Sequence, residues 1–511
     1  MKVKFNNLFV LYSLFLIHPC ISQVVKYKTE GIPESKNFKV WVNDDKVFTS
    51  NAGNTFNYGR ASNYKSFYSF SNFDFSGSVK IKVQSKHSIK WLEILPSVLN
   101  IKHKVIDDFT FEFELDRPRK ITIMLNNDKK NVLHLLTNSI EKEKVNPSDK
   151  DVLYFKSGKI YNIGVLDLKD NQTLYIEGGA RLKGMVRIRD AKNIKIMGRG
   201  MIDGSDNKSS GNGRFKDEPW RLIYMENAKN IKISGITLYN SLKWTIHPYN
   251  VSNLEIDNIN IVNWDFGSDG IDLSSCRNVK ILNSFLRTND DCIVVKAISF
   301  DEKMYYPNPR IENPNVDNIL VEGCTLWNME YGNVFDIGFE LRCEKISNII
   351  FRDCDVLIQE GRGAVFTIHN SDNAIIQDIL YENIRVENAD LVSNSKLIDI
   401  AILFSIWSYD KFEDDEMIKK YRFNNSWDNL IPVLPGKEKF HASNRGHVKN
   451  IIFRNIEIID GQLPYSVING YDKDHIISDV IIENIYSGGG KIKTKEELKL
   501  FTQFSDKIIL R

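Results

Sequence analysis

The stretch Asn253-Leu254-Glu255-Ile256 is followed 25 residues later by Asn278-Val279-Lys280-Ile281, and this pattern recurs along most of the chain. Each copy has Asn (once Asp), an aliphatic residue, a variable residue and another apolar residue. Neighbouring copies without an insertion between them start 23 to 30 residues apart. The other copies start at Asn193, Asn230, Asn318, Asn348, Asn373, Asn450 and Asp479.

A repeat of this length without helical periodicity predicts a β-solenoid, in which each coil stacks on the one before it. The aliphatic residues of each copy would point inward and stack at about 4.8 Å along the axis. The Asn would lie at a turn, because its side chain tolerates left-handed backbone and hydrogen-bonds along the stack. Cys324 and Cys354 each follow their Asn by six residues, so we expect them on adjacent coils.

A leucine-rich repeat is the competing architecture at this period. Its LxxLxL pattern is absent from the chain, and the segments between copies lack helix-length periodicity. The sequence therefore predicts an all-β protein with a right-handed parallel β-helix. We place this domain at residues 150–490, followed by a C-terminal cap segment at 491–511.

The region before the repeat has a different pattern. Apolar and polar residues alternate in short runs, and turn-forming residues separate these runs. Such alternation is typical of antiparallel strands with one buried face and predicts a small β-sandwich at residues 24–145. We interpret it as a structural or sugar-contacting accessory domain. The clearest runs are 38–42, 79–83 and 109–113.

The N-terminus has the features of a secretory signal peptide, which we place at residues 1–22. Lys2 and Lys4 precede a short apolar run, and small residues follow it. We therefore expect a secreted or periplasmic protein. Cys20 raises the possibility of a lipid anchor, but His18 and Pro19 before it fit a lipid-attachment site poorly. No later segment approaches the length of about 20 apolar residues that spans a membrane.

Composition excludes several functions. With 68 Lys and Arg against 66 Asp and Glu, the net charge of +2 provides little of the basic field that nucleic-acid binding requires. The cysteines after Cys20 have no CxxC spacing, which argues against a disulfide framework or a zinc site and favours small buried side chains. They are Cys276, Cys292, Cys324, Cys343 and Cys354.

Acidic residues are concentrated at one place in the repeat. Asp269 and Asp290 are 21 residues apart, about one coil, and Asp272 and Asp291 lie close by. Like charges at short range raise one pKa, which leaves an acid beside an ionised base. Glycoside hydrolysis needs such a pair. From clustering alone, a solvated Asp-rich turn and a calcium site remain equally good interpretations.

These residues resemble a known family. Asp269-Gly270-Ile271-Asp272, followed by Asn289-Asp290-Asp291-Cys292, is similar to the catalytic region of polygalacturonase-type glycoside hydrolases, family 28. The segment from Asn240 to Pro248 also resembles that family's Asn-Ser, Trp and His-Pro segment. The family is a right-handed β-helix and shares a clan with the dextranase and isopullulanase family 49, which has a β-sandwich before the helix. The resemblance covers about residues 150–390.

The resemblance implies an inverting mechanism. Asp290 matches the general acid, and Asp269 and Asp291 match the two carboxylates that hold and activate water. Lys296 matches a lysine that contacts sugar hydroxyls; the alternative is an ordinary surface lysine. We expect no cofactor and no metal, because acid–base hydrolysis takes its nucleophile from water.

The chain departs from the family at three points. Gly267-Ser268-Asp269 replaces Asn-Thr-Asp, and Glu330-Tyr331-Gly332-Asn333 lies where Gly-His-Gly is expected. The Arg-Ile-Lys motif that grips a galacturonate carboxylate is also missing, and Phe366-Thr367-Ile368-His369-Asn370 lies near its place. These departures argue against plain pectate and favour a neutral or differently modified glycan.

Aromatic and basic residues near the acids are further candidates for sugar contact, with burial in the core as the alternative for each. The irregular stretch between Phe404 and Asn444, which contains Trp407, Tyr409 and Trp427, is predicted to border the cleft. The candidates for substrate binding, besides Lys296, are Trp244, His247, Trp264, Tyr331 and His369.

The sequence therefore predicts a secreted inverting O-glycosyl hydrolase acting on a polysaccharide or oligosaccharide. A polysaccharide lyase is one alternative, although the three aspartates and the missing carboxylate clamp count against it. A non-catalytic glycan-binding solenoid is the other, and it predicts no coherent acid cluster. The sequence leaves the oligomeric state open.

Overall fold

The computed structural model describes residues 22–55, 65–143, 145–207, 221–265, 267–297, 313–329, 331–360, 363–389, 395–403 and 445–511. Most of the predicted signal peptide and the irregular stretch 404–444 lie outside these residues. Two all-β units follow one another along the chain. The first contains a short 3-10 helix, Ser97–Leu99, which is followed by Asn100 in the left-handed conformation. Within the described ranges, no helix has the length and apolarity to cross a membrane.

The first unit is a sandwich of two mainly antiparallel sheets, as predicted. Alternation along Val79–Ser85 buries Val79, Ile81 and Val83 between the sheets. One sheet contains Asp45–Val47, Phe38–Val42, Val79–Ser85, Thr110–Leu115 and His103–Asp107. The other contains Gln23–Lys26, Lys65–Ser76, Leu133–Ser139, Lys120–Leu125 and Leu92–Leu95, with Ser50–Thr55 paired to Lys65–Ser76.

The second unit is a right-handed parallel β-helix, which confirms the predicted fold class. Its 30 strands form one continuous sheet that winds around an aliphatic core. The strands fall on three faces. The asparagine face contains Val152–Phe155, Thr173–Ile176, Lys192–Gly198, Lys229–Ser234, Ser252–Asp257, Arg277–Leu282, Val316–Glu322, Lys345–Arg352, Ile375–Asn388, His447–Asp460, Ile477–Ser487 and Ser505–Leu510.

The two other faces carry the sandwich and the acids. Ile160–Leu168 and Arg181–Arg189 pair with each other and are long enough to contribute to both of them. The sandwich-facing face also contains Met201–Asp203, Thr237–Tyr239, Asn260–Val262, Phe285–Thr288, Thr325–Asn328 and Asp355–Gln359. The acidic face contains Ile223–Glu226, Ile246–Tyr249, Ile271–Ser274, Ile293–Ala297, Phe335–Leu341, Ala364–Asn370, Lys396–Ile402, Tyr465–Asn469 and Leu500–Gln503.

The repeated Asn residues form a ladder at the start of the asparagine face. Asn230, Asn253 and Asn278 have φ values of 58°, 56° and 55°. Nδ2 of Asn253 donates to Oδ1 of Asn230 at 2.9 Å, and Nδ2 of Asn278 donates to Oδ1 of Asn253 at 3.1 Å. The Asn is therefore repeated because each coil needs a left-handed turn residue that bonds to its neighbours. The predicted turn position is confirmed.

Cysteine positions agree with the predicted register. Val321 pairs with Phe351 and Thr325 with Asp355, and this register places Cys324 beside Cys354 on the next coil. Burial and then the neighbouring Cys324 raise the pKa of the Cys354 thiol well above its usual value, which agrees with this placement. All five cysteines of the described ranges are buried and free, as expected of small core side chains.

The sandwich covers the sandwich-facing face of the β-helix through a shared aromatic cluster. The Tyr68 hydroxyl donates to the carbonyl of Asn263 at 2.9 Å, and the Arg287 guanidinium lies 3.6 Å from the centre of the Tyr68 ring. Trp264 is 7% exposed in this cluster, with its ring centre 4.9 Å from that of Tyr239. Of the two interpretations given for Trp264, burial is therefore the one found, because the sandwich covers its side chain.

The C-terminal segment continues the coils. Leu500–Gln503 pairs with the acidic face and Ser505–Leu510 with the asparagine face, while Gly490–Lys491 forms a small antiparallel hairpin with the end of Ile477–Ser487. The segment limits given above, including the cap at 491–511, stay predictions.

Candidate active site

The acidic face brings polar side chains from successive coils into columns. In Ile271–Ser274, Ile271 and Leu273 belong to the helix core, so Asp272 and Ser274 point outward by alternation. Ile246 pairs with Ile271 and Tyr249 with Ser274, which places His247 beside Asp272. Burial of the aliphatic residues therefore forces the polar ones onto the outer side of this face.

The proposed catalytic aspartates lie on neighbouring coils of the same face, as the spacing predicts. Ile271 pairs with Ile293, and the Gly270 N–H donates to the Asp291 carbonyl at 2.8 Å. Asp269 therefore lies beside Asp291 on the next coil, with Asp290 one residue before it. The 21-residue spacing of Asp269 and Asp290 is thus one residue shorter than the coil.

Asp290 is fixed through its backbone. The Thr288 hydroxyl and the Asn328 Nδ2 donate to its carbonyl at 2.6 and 2.8 Å. Its Oδ1 accepts the N–H of Asp291 at 3.1 Å. Burial, together with the charge of Asp291, raises the pKa of Asp290 to about 7. A carboxyl group with this pKa carries a proton near neutral pH and is suited to general acid catalysis.

Gly332 lies directly against this acid pair. Its φ is +72°, and a Cβ at this position would lie 2.5 Å from Oδ1 of Asp290 and 2.3 Å from the Asp291 nitrogen. Both the backbone conformation and the contact therefore require glycine. Gly332, in the stretch that stands where the family's Gly-His-Gly motif is expected, thus packs on the acids.

Asp291 is held by Asn333. The backbone N–H and the Nδ2 of Asn333 contact Oδ1 of Asp291 at 2.6 and 3.2 Å. Burial raises the pKa of Asp291, while the charge of Lys296 and the hydrogen bonds from Asn333 oppose that rise. Among the three aspartates, Asp291 thus has the surroundings that best support an ionised base.

Asp269 and Asp272 are both buried beside the acid pair. Burial and then the charge of Asp272 raise the pKa of Asp269 well above its usual value, and the charges of Asp290 and Asp291 add to this. Burial also raises the pKa of Asp272 well above its usual value, and the charge of Lys296 opposes this rise.

Lys296 lies beneath the acids and is only 5% exposed, so its interpretation as a surface lysine is wrong. Its Nζ is 2.9 Å from Oε2 of Glu340 and 5.1 Å from the centre of the Trp244 ring. Burial lowers the pKa of Lys296, but Glu340, Asp272 and Asp291 raise it well above its usual value. It is therefore a permanent positive charge in an acidic surrounding.

His247 and Trp244 lie on the opposite side of Asp272 from the acid pair. His247 is 1% exposed, and its Nε2 is 3.1 Å from Oγ of Ser274. Its ring meets the half-buried Trp244 edge-on at 4.8 Å. Burial and the charges of Arg221 and Lys296 lower the pKa of His247 well below its usual value, so the imidazole is neutral.

Tyr331 and His369 lie on the coils that follow the acids. Tyr331 is half-buried, and its N–H donates to the Asn289 carbonyl at 3.0 Å. Nε2 of His369 is 3.1 Å from Oδ2 of Asp399. Burial lowers the pKa of His369, but Asp399 and Asp336 raise it above its usual value overall.

Three residues of this site were missed in the sequence: Asp336, Glu340 and Asp399. Burial and the charge of Asp291 raise the pKa of Asp336 to about 7, and Asn333 Nδ2 lies 3.3 Å from its Oδ2. None of the three lies in a motif of the resemblance. Asn333 belongs to the stretch that stands in place of Gly-His-Gly, but its contact with Asp291 was not predicted. No group of three or more His, Cys, Asp or Glu arranged to hold a metal ion occurs among the described residues.

The comparisons with known proteins agree with this geometry. Residues 164–400 match the family model described as Glycosyl hydrolases family 28. This region includes all three proposed catalytic aspartates. Over these residues the β-helix is similar to the glycosyl hydrolases of family 28.

The curated relatives of this chain have low identity and partial coverage. An exopolygalacturonase of Arabidopsis thaliana (clone GBGE184) is 26% identical over 214 residues, which is 40% of this chain and 46% of that protein. A polygalacturonase of Gossypium barbadense is 22% identical over 282 residues, 53% of this chain and 63% of that protein. A probable polygalacturonase of Vitis vinifera is 34% identical over 87 residues, 17% of this chain and 18% of that protein. The chain thus spans less than two thirds of the length of each of these relatives.

One solved structure matches nearly the whole chain, including the sandwich. Dex49A from Penicillium minioluteum covers 92% of this chain and 92% of its own, with a TM-score of 0.64 and 14% sequence identity. At this identity the similarity shows the fold alone. It agrees with the expectation of a β-sandwich followed by a β-helix.

Proposed function

We propose that the chain is an exported inverting glycoside hydrolase that cleaves a glycosidic bond of a polysaccharide or oligosaccharide. The observation that supports this best is the pairing of Asp290, whose pKa is raised to about 7, with Asp291, whose charge is supported by Lys296 and Asn333. An acid and a base on neighbouring positions of one face match the chemistry of glycoside hydrolysis.

In this mechanism Asp290 donates its proton to the glycosidic oxygen. The bond between that oxygen and the anomeric carbon breaks, and its electron pair stays on the leaving oxygen. Asp291 removes a proton from a water molecule on the opposite face of the sugar, and the water oxygen bonds to the anomeric carbon. Asp290 ends as a carboxylate and Asp291 as an acid, and the anomeric configuration is inverted.

Asp269 and Lys296 support this step. Asp269 lies beside Asp291 on the preceding coil, and we infer that its carboxyl group orients the same water. Lys296 keeps the pKa of Asp291 from rising further. Trp244, His247, Tyr331 and His369 stay candidates for substrate contact, because they lie on the acidic face or at its edge. Export is part of the proposal and depends on residues 1–22.

The deciding experiment measures new reducing ends released from a panel of uncharged, uronate and sulfated glycans. Unsaturated products are recorded by ultraviolet absorbance in parallel, and proton NMR follows the first anomer formed. We expect reducing ends without unsaturation, with inverted configuration. Asp290→Asn should abolish the release, whereas Asp108→Asn, an exposed change in the sandwich, should leave it intact.

The two alternative functions give different results in the same assay. A lyase would produce unsaturated ends and absorb in the ultraviolet. A glycan-binding solenoid would bind a polysaccharide without releasing new ends from it. A product with retained anomeric configuration would contradict the inverting mechanism, but it would still identify the protein as a hydrolase.

A further inference from the structure

The acidic face continues beyond the acid pair with a second group of outward polar side chains. Asp336 pairs with Thr367, and Thr367 pairs with Asp399, on three successive coils. His369 lies two residues after Thr367 and therefore on the same side of its strand. The core residues around them, among them Phe335, Ile337, Phe366, Ile368, Ile398 and Ile400, fix this outward direction.

Two oxygens in this group lack a hydrogen-bond partner within the part of the chain that the structure describes. They are Oδ1 of Asp336 and Oγ1 of Thr367. The side chains are 5% and 0% exposed, respectively. Buried polar atoms are nearly always hydrogen-bonded, so a neighbouring pair of open oxygens indicates a ligand position.

Three cations among the described residues of this region are bound to carboxylates of the protein. Nζ of Lys396 and Nε2 of His369 both contact Oδ2 of Asp399, at 2.5 and 3.1 Å. Lys296 is paired with Glu340 at 2.9 Å. A carboxylate on a ligand would therefore meet acidic groups whose counter-ions are engaged.

We propose that Asp336, Thr367 and His369 form a sugar subsite beside the acid pair, and that this subsite accepts the hydroxyl groups of an uncharged sugar and disfavours a uronate. The inference rests on the proposed function, because it assigns the substrate class of the same site. Asn333 links the two regions, since its Nδ2 lies 3.2 Å from Oδ1 of Asp291 and 3.3 Å from Oδ2 of Asp336.

Hydrogen-bond chemistry explains the preference. A sugar hydroxyl both donates and accepts, so it satisfies the open oxygen of Asp336 and the hydroxyl of Thr367 together. A carboxylate only accepts and has no proton to donate to Asp336 once that group is ionised. Desolvating a second negative charge beside it is also unfavourable.

The test compares oligosaccharides that differ only in charge. Oligogalacturonides and oligoglucuronides, each with its carboxyl-reduced counterpart, are titrated into Asp290→Asn protein by calorimetry. We expect at least one reduced oligosaccharide to bind ten times more tightly than its uronate parent. Equal or tighter binding of the uronates, or no binding of any reduced form, would overturn the inference.

Substitutions then test which residues cause the preference for an uncharged sugar. Thr367→Val keeps the side-chain shape and should weaken binding of the reduced oligosaccharide by about five- to tenfold, the effect of one lost hydrogen bond. Asp336→Asn should reduce the discrimination against the uronate. His369→Ala is compared with His447→Ala on the asparagine face, which should bind as the parent does. Unchanged affinities in all three subsite variants would also overturn the inference.

Binding to Asp290→Asn protein is measured without turnover, so the two proposals fail separately. Charge preference without any hydrolysis by the wild-type chain would retain the subsite and remove the hydrolase. Hydrolysis of uronates with no preference for reduced ligands would retain the hydrolase and remove the subsite.

Discussion

Asn333 donates its backbone N–H to Oδ1 of Asp291 at 2.6 Å, and its side chain contacts the same oxygen through Nδ2. The side-chain oxygen of Asn333 accepts the Ala364 N–H at 2.9 Å, which fixes the orientation of the amide. One residue thus holds the proposed base from two directions and is itself held by the following coil.

Replacing Asn333 by Ala should lower kcat by about tenfold, because a hydrogen bond to a charged group is lost. These hydrogen bonds lower the pKa of Asp291, so their partial loss raises it. The acidic limb of the pH dependence of kcat/KM should therefore move to higher pH. The melting temperature of the same variant separates the change in the pKa of Asp291 from a loss of stability caused by the missing contact with Ala364. If the acidic limb does not move, Asp291 is not the base.

The alkaline limb should be set by Asp290. Burial and the charge of Asp291 raise its pKa to about 7, and the general acid works only when protonated. Activity should therefore fall as pH rises through about 7, while kcat of Asp290→Asn should be lower than wild type by at least 10²-fold at every pH. Initial rates between pH 4 and 9 test this. An alkaline limb that persists in a residual activity of Asp290→Asn would assign the titration to another group.

Asp336 should make stability depend on pH. Its folded pKa of about 7 lies above the usual value of 3.8, so its contribution is fully present below about pH 4 and is lost as pH rises through about 7. Asp336→Asn keeps the neutral form at every pH. Relative to wild type, the variant should gain on the order of 4 kcal/mol in unfolding free energy between pH 4 and pH 8.

Thermal unfolding at several pH values measures this gain. Asp108→Asn, at an exposed position of the sandwich, provides the comparison and should show no such trend. A constant difference between Asp336→Asn and wild type across the range would contradict the raised pKa.

The asparagine ladder makes a separate prediction about stability. Asn253→Ala removes two amide hydrogen bonds and places Ala at a φ of 56°, so it should cost about 2–3 kcal/mol. Asn253→Gly tolerates that φ and should cost about half as much. Urea unfolding of both variants checks this, and equal losses would show that the left-handed backbone is not the cause.

The fold was predictable from the repeat because each coil has the same local needs. Every coil requires a left-handed residue at the turn and two inward aliphatic residues, and these needs recur as Asn-aliphatic-variable-apolar along the chain. The sandwich was predictable from alternation for a similar reason. The register between Asp269 and the acid pair could not be predicted from the repeat. One residue more or less in the turn changes which aspartates face each other.

The rest of the site depends on tertiary spacing. Ile293 pairs with Phe335, which lies well beyond one coil length along the chain, because an insertion separates these coils. No period in the sequence therefore places Asn333 and Asp336 beside Asp291. The exposure of Trp264 could not be predicted for the same reason. Whether this side chain is exposed or covered depends on which of the three faces of the β-helix the sandwich occupies.

Trp264 and Trp244 allow this difference to be tested with the same substitution. Trp264 lies under the sandwich with Tyr68 and Tyr239, so Trp264→Ala should cost about 3–5 kcal/mol in unfolding free energy and leave KM unchanged below the melting transition. Trp244 is half-buried on the active side of the β-helix, where it meets His247 and Lys296. Trp244→Ala should raise KM with a smaller loss of stability. Thermal unfolding is measured for both variants, and KM is measured on the substrate identified by the glycan panel. A raised KM in Trp264→Ala alone would contradict the prediction, because it would place sugar contact on the sandwich-facing face of the β-helix.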